Sequence, residues 1–273
     1  MEPAQNALLI FTVISLGCAA KSLGAPVIPT ELKLQNVCSQ SDLRQPSLVS
    51  PIARMAFSPG ISFPGDNGCT GALISKNCMI SAGHCESNLR YAQFNVPPST
   101  PNAQMVPPDP NDVYDVDSII DIAGSDSRPS RPGEDKDWDD WAVFKLKPNN
   151  LTKKSAGSVQ SSYNIYAENG PPLAFQRVQV TGYGRAAGSL SCVQHTMEGT
   201  LILDDSNPII YYDILSTGGD SGAPVILKDT QQIIGIETMG PCNDPATKGL
   251  SSGTAIWAMP KLKAAIQKCV SSD

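Results

Sequence analysis

The chain has two histidines, and one of them stands where chemistry can start. His84 lies in Met79-Ile80-Ser81-Ala82-Gly83-His84-Cys85, directly after a short apolar run. Far downstream, Thr217-Gly218-Gly219-Asp220-Ser221-Gly222-Ala223-Pro224-Val225 sets a serine among glycines. Glycines let the backbone turn sharply and aim its N–H groups at one spot. Hydrolysis of an amide needs such a spot for the oxyanion of its tetrahedral intermediate. It also needs a base to take the serine proton, and a carboxylate to hold that base in the right tautomer. His84 supplies the base. Asp137, Asp139 and Asp140 are the local candidates for the carboxylate. A serine hydrolase of the α/β type does not fit, because it wants Gly two residues after the serine, where Ala223 stands, and its histidine comes last. His195 reads as structural.

These strings carry a resemblance. Cys69-Thr70-Gly71-Ala72-Leu73-Ile74 through Ser81-Ala82-Gly83-His84-Cys85 resembles the histidine region of trypsin-like (chymotrypsin-fold) serine proteases. Gly219-Asp220-Ser221-Gly222-Ala223-Pro224 resembles their serine motif, with Ala223 where most members have Gly. Asp140-Trp141-Ala142-Val143-Phe144-Lys145-Leu146 is similar to the strand that bears their aspartate, and that register selects Asp140. The motifs come in the family's order, His then Asp then Ser, from about residue 50 to the C-terminus. Within the family the chain is similar to the glutamyl-endopeptidase (V8-like) branch. That likeness rests on Tyr212 to Gly219, on Gln194-His195 upstream of Gly199, and on the stretch from Asn36 to Arg44. Two positions depart from the branch: Asp220 replaces Asn before the serine, and Glu237 replaces His in the strand after it.

The resemblance implies an all-β fold of two six-stranded antiparallel β-barrels, an active site in the cleft between them, and a C-terminal helix. It implies a serine endopeptidase with His84, Asp140 and Ser221 as its triad, and Gly219 and Ser221 N–H groups as the oxyanion hole. Leu215, Ser216, Glu237, Gly240 and Gly253 would line the pocket for the substrate side chain. Leu215 stands where trypsin has the aspartate that selects Lys or Arg. The two glycines would leave the pocket open to a sizeable side chain. Glu237 has two dispositions that stay open. It lines the pocket, repelling an acidic side chain and attracting a basic one, or it is turned away or hydrogen-bonded within the protein. Trypsin-like zymogens release an Ile or Val terminus that pairs with the Asp before the serine. Asp220 is available for that pairing, no Ile-Val-Gly-Gly string is present, and Val37 is the candidate new terminus. A Cys69–Cys85 bridge would tie down the loop that carries His84, Cys192–Cys242 would join loops near the pocket, and Cys78–Cys269 would pin the C-terminal helix to the first barrel. Cys38 is then left over. The rival readings are an inactive homologue that acts as a binding or decoy module, and a non-enzymatic β-sandwich, which leaves the ordered motifs unexplained.

Elements must position these residues, and the sequence shows which kind. Short apolar runs at Ile52–Phe57, Gly71–Ser75, Met79–Ala82, Trp141–Leu146, Val178–Thr181, Gly199–Leu203, Ala223–Leu227, Ile233–Glu237 and Thr254–Ala258 are broken by Gly, Pro, Asn and Ser. Many short strands between turn signals point to an all-β barrel or sandwich. Lys261–Val270 alone has clear helical period, with Leu262, Ala265, Ile266 and Cys269 three and four apart and Pro260 at a first-turn position. Pro97–Asp137 reads as loop. Pro148–Asn169 reads as a linker between halves 37–155 and 156–273, and carries the sequon Asn150-Leu151-Thr152, which matters only in a eukaryote.

Composition bounds the rest. The chain has 273 residues, is 41% hydrophobic and carries a formal charge of -6. That suffices for a sizeable core and argues against nucleic-acid or anionic-membrane partners. Ala7–Leu16 followed by Gly17-Cys18-Ala19-Ala20 matches a signal peptide over residues 1–20, although Glu2 is acidic. The run is too short for a stable membrane span. Residues 21–36 read as a propeptide or N-terminal arm. The eight cysteines, one of them in the leader, lack zinc spacing and suit disulfides in an exported protein. The acidic stretch between Asp109 and Asp140 lacks the spacing of a calcium loop. A secreted monomer acting on protein or peptide substrates, open to protein inhibitors and needing no metal or cofactor, is the expectation.

Overall fold

In the computed structural model, the described residues are 44–60, 68–102, 104–124, 139–168, 170–186, 191–203, 208–241 and 249–273. The expected signal peptide, the N-terminal arm, Val37, Cys18, Cys38, Asp137 and Cys242 lie outside them.

Six strands close the first barrel: β2 (Ile52–Ala56), β3 (Cys69–Leu73), β4 (Cys78–Ser81), β5 (Tyr91–Gln93), β6 (Val113–Ala123) and β7 (Trp141–Leu146), in the ring order β2-β3-β4-β7-β6-β5. The second ring is built from β9 (Arg177–Gly182), β10 (His195–Leu203), β11 (Ile209–Tyr212), β12 (Pro224–Leu227), β13 (Gln232–Met239) and β14 (Ser251–Ala255), closed where β9 pairs β10. Two short strands are added to it. β1 (Gln45–Pro46) pairs β10, and β8 (Asn164–Ile165) pairs β13 in parallel.

Each barrel closes on an apolar interior. Ile52, Leu73, Met79, Ile80, Phe94, Trp141 and Phe144 fill the first, and Val178, Val180, Leu201, Ile210, Tyr212 and Ile234 the second. Full burial of one such side chain contributes roughly 1.5–3 kcal/mol. The first core runs on into Tyr183, Ile226, Ile236 and Ile256 of the second half, so the barrels share a packed seam.

Two readings need correction. Pro97–Asp137 is not all loop, because β6 crosses it and pairs both β5 and β7. Its Asp117, Ser118 and Asp121 face solvent, so the strand reads as polar although it closes the barrel. Pro148–Asn169 is more than a linker. Gly157 N–H donates to the Lys76 carbonyl and Tyr163 N–H to Leu73, while β8 joins the second sheet. The helix forms where its period says, as α2 (Pro260–Val270) after the single turn α1 (Gly157–Gln160), with Leu262, Ala265, Ile266 and Cys269 buried. It packs on the first barrel and is fixed there by Cys78–Cys269.

Candidate active site

β4 and β7 are antiparallel neighbours, with Ser81 opposite Ala142. The residues leaving β4 and those entering β7 therefore meet at one end of the first barrel. His84 leaves in a 3-10 turn, Gly83–Asn88, and Asp140 enters just before Trp141. A Cβ at Gly83 would lie 1.6 Å from the Ala123 carbonyl oxygen, so only glycine lets this turn rest on β6. Cys69–Cys85 ties the turn to β3, as expected.

The imidazole Nδ1 of His84 is 2.6 Å from Asp140 Oδ2, and the His84 backbone N–H donates to Asp140 Oδ1 at 2.9 Å. One carboxylate thus fixes both the ring and its backbone. Burial would lower the His84 pKa, but the Asp140 hydrogen bond and charge outweigh it, so it is raised above 6.5. Asp139 is occupied elsewhere, accepting from the Trp141 indole at 2.6 Å.

Ser221 comes from the second barrel, in the turn before β12. Thr70 N–H donates to its carbonyl at 2.8 Å, which holds the two barrels together at the serine. Gly222, with φ of +87°, has no room for a Cβ, which would stand 2.2 Å from Ser81 Oγ and from the Thr70 carbonyl. Gly219 takes φ of +107°, and its carbonyl accepts from Thr70 Oγ1 at 2.8 Å. Among the described residues, no acceptor takes the Gly219 or Ser221 backbone N–H. Likewise no hydrogen bond joins Ser221 Oγ to His84. Such contacts are commonly loose without substrate.

Ser216, Glu237, Gly240 and Gly253 are brought together. A Cβ on Gly240 would lie 2.9 Å from the Ser216 carbonyl oxygen, and one on Gly253 would lie 2.2 Å from that of Ile236. At both positions a Cβ would meet backbone, so each stays glycine. Leu215 is half-buried beside them. Glu237 is 1% exposed. It accepts from Ser216 Oγ at 2.6 Å and from the Tyr212 hydroxyl, and Ser216 Oγ in turn meets Ser251 Oγ at 2.9 Å. Burial pushes the Glu237 carboxyl well above the carboxylate range, against the pull of those two donors. Of its two dispositions, the hydrogen-bonded one is found. Tyr212 and Ser251 were missed in the sequence, since nothing marks a strand tyrosine as the partner of a distant acid.

Cys69, His84 and Cys85 bring their ligand atoms within 4.8 Å of one another, but the two sulfurs are joined in a disulfide and cannot act as thiolates for a metal. Cys192 is a free, buried thiol, so the expected Cys192–Cys242 bridge is not made. His195 is fully buried on β10, in keeping with a structural part. No helix among the described residues is long and apolar enough to cross a membrane.

A family model described as Trypsin matches residues 50–256. Among curated proteins, none matches the sequence. A solved Glu endopeptidase aligns with TM-score 0.58 at 21% identity, covering 85% of this chain and 98% of its own. A thermostable serine protease, AL20, from an extremophilic microorganism aligns with TM-score 0.57 at 14% identity, covering 82% and 99%. A scabies mite inactivated protease paralogue aligns with TM-score 0.58 at 15% identity, covering 84% and 99%. At such identities these likenesses speak for the fold.

Proposed function

Because the chain belongs to the trypsin family, we propose that it is an active, secreted serine endopeptidase of the V8-like branch, with His84, Asp140 and Ser221 as its triad. The observation that carries this is the double grip of Asp140 on His84, through the ring and the backbone, with the Ser221 carbonyl held by Thr70 N–H and 3.8 Å from the sulfur of Cys85, the residue next to His84.

Peptide hydrolysis then proceeds by acyl transfer. Ser221 Oγ adds to the scissile carbonyl carbon as His84 takes its proton. The Gly219 and Ser221 N–H groups hold the oxyanion, and Asp140 stabilises the imidazolium. His84 returns the proton to the leaving amine. Water then attacks the acyl-enzyme by the same route and frees Ser221. The site needs no metal or cofactor for these steps.

Substrate choice follows from the pocket. Its base holds a buried acid whose two donors, Tyr212 and Ser216, are already engaged. A substrate carboxylate finds no donor or cation there. Burial raises the Glu237 carboxyl and so weakens its pull on a basic side chain. Cleavage after an acidic side chain is disfavoured. Export would follow a leader over residues 1–20, with residues 21–36 as an arm or propeptide.

Cleavage of an unfolded protein substrate and of a peptide library tests both statements. Wild type is expected to cleave, with Ser221→Ala and His84→Ala each reduced by about 10⁴-fold or more. Equal residual activity in the variants would overturn the triad, and enrichment of Glu at the cleaved position would overturn the preference.

A further inference from the structure

Asp220 precedes the serine and is wholly enclosed. Its Oδ1 accepts from Gly184 N–H at 2.8 Å and its Oδ2 from Thr217 N–H at 2.9 Å. A Cβ on Gly184 would stand 2.2 Å from Oδ2, and one on Gly182 2.5 Å from Oδ1, so backbone walls the carboxylate on those sides. A buried carboxylate needs a cation or it takes a proton. Glu237 and Tyr212 also face Asp220, but neither side chain can carry a positive charge. Burial pushes the Asp220 carboxyl up, while the Thr217 and Gly184 N–H groups and the Arg44 charge pull it back down. Among the described residues, the cation that pairs with it is Arg44, whose Nη1 lies 3.9 Å from Oδ2, with the two side chains 3% and 0% exposed. The same guanidinium donates to Thr217 Oγ1 at 2.7 Å and to the Arg185 carbonyl. Arg185 N–H in turn donates to the Gly218 carbonyl. One planar fork thus touches both sides of the turn that carries Gly219 and Ser221.

The chain just after Arg44 is fastened down. Gln45 and Pro46 pair with Thr196 and His195, and Ser47 N–H donates to the Gln194 carbonyl at 3.0 Å. The buried Gln194 side chain accepts from Ser47 Oγ and Val49 N–H. This anchoring delivers Arg44 to Asp220 as part of the fold.

We propose that Arg44 is a positioning residue: the internal cation that pairs with Asp220 and holds the 217–221 turn in its oxyanion-binding shape, in the place where trypsin-like activation uses a terminus freed by cleavage. The site is then formed by folding and does not wait for a new amine. The effect on activity rests on the peptidase reading above, while the ion pair stands apart from it.

Two measurements separate the claims. In the first, kcat and KM for a peptide ester are compared for wild type, wild type acetylated at its α-amine, Arg44→Gln and Arg44→Lys. The acetylated protein keeps its kcat within about twofold, Arg44→Gln loses about 100-fold in kcat with KM changed less than about threefold, and Arg44→Lys recovers about tenfold of that. Wild-type kcat in Arg44→Gln, or loss of activity on acetylation, overturns the proposal. In the second, urea unfolding is followed for Arg44→Gln, Asp220→Asn and the double variant. A coupling of about tenfold or more in the unfolding constant is expected, with the double variant rescuing Arg44→Gln even if that variant alone is unfolded. Additive effects overturn the pairing. A wild type that is folded but inactive would defeat the peptidase reading alone, and the unfolding cycle would still decide the ion pair.

Discussion

His84 and Glu237 show how one fold sets two titrations in useful directions. Asp140 raises His84, and catalysis needs the neutral ring, so kcat/KM should fall with acid through a pKa above 6.5. Initial rates from pH 5 to 9 check this, and a flat profile would speak against His84 as the base. Asp140→Asn should lower kcat by about 10⁴-fold, because the ring loses its tautomer partner. Glu237 has the opposite logic for an acid. Its folded pKa is raised, so the folded protein keeps a proton that the unfolded chain has lost. Stability is then full below the ordinary Glu value of about 4.3 and declines as pH rises through the folded value. Urea midpoints should show that decline in wild type and not in Glu237→Gln. Glu237→Ala leaves the Tyr212 and Ser216 hydroxyls without their acceptor and should cost about 1–3 kcal/mol. The sequence singled out His84, Asp140 and Ser221 by their flanking strings, and His84 and Asp140 do meet in space. It left Glu237 undecided, since a buried acid and a pocket-lining acid read the same until Tyr212 and Ser216 are placed in space.

At the scale of elements, apolar runs revealed the strands that are buried on both faces. β2, β4, β7 and β12 are buried along their length, and each matches an apolar run to within a residue or so. β5, β6 and β11 were missed. β5 is three residues long, β6 turns its acids to water, and β11 alternates between half-buried and buried. The helix was legible because four apolar residues share one face, and Cys269 on that face is joined to Cys78 of β4. That bridge spans 191 residues. Replacing both cysteines by serine should cost about 2–5 kcal/mol in unfolding free energy. Activity of the folded fraction should stay within about twofold, because α2 packs on the side strands of the first barrel and not on His84. Calorimetry beside an ester assay checks the pair of outcomes. Loss of activity at unchanged stability would mean that α2 reaches the cleft.

For the whole molecule, the two barrels divide the labour. The first carries His84 and Asp140, and the second carries Ser221, the glycine turn before it and Glu237. Thr70 bridges them by binding the Ser221 and Gly219 carbonyls through its backbone and hydroxyl, and Thr254 Oγ1 reaches the Asp140 carbonyl at 3.1 Å. On the proposed reading catalysis depends on the seam, and variants that loosen it should lose activity before they unfold. The central claim is that Ser221 is an activated nucleophile in the folded protein. Treatment of the purified protein with a serine-directed phosphonate, read by intact mass and peptide mapping, tests it most directly. One adduct per chain, on Ser221, absent from Ser221→Ala and from heat-unfolded wild type, is the predicted result. A folded wild type that takes up no label, or takes it up elsewhere, would contradict the account.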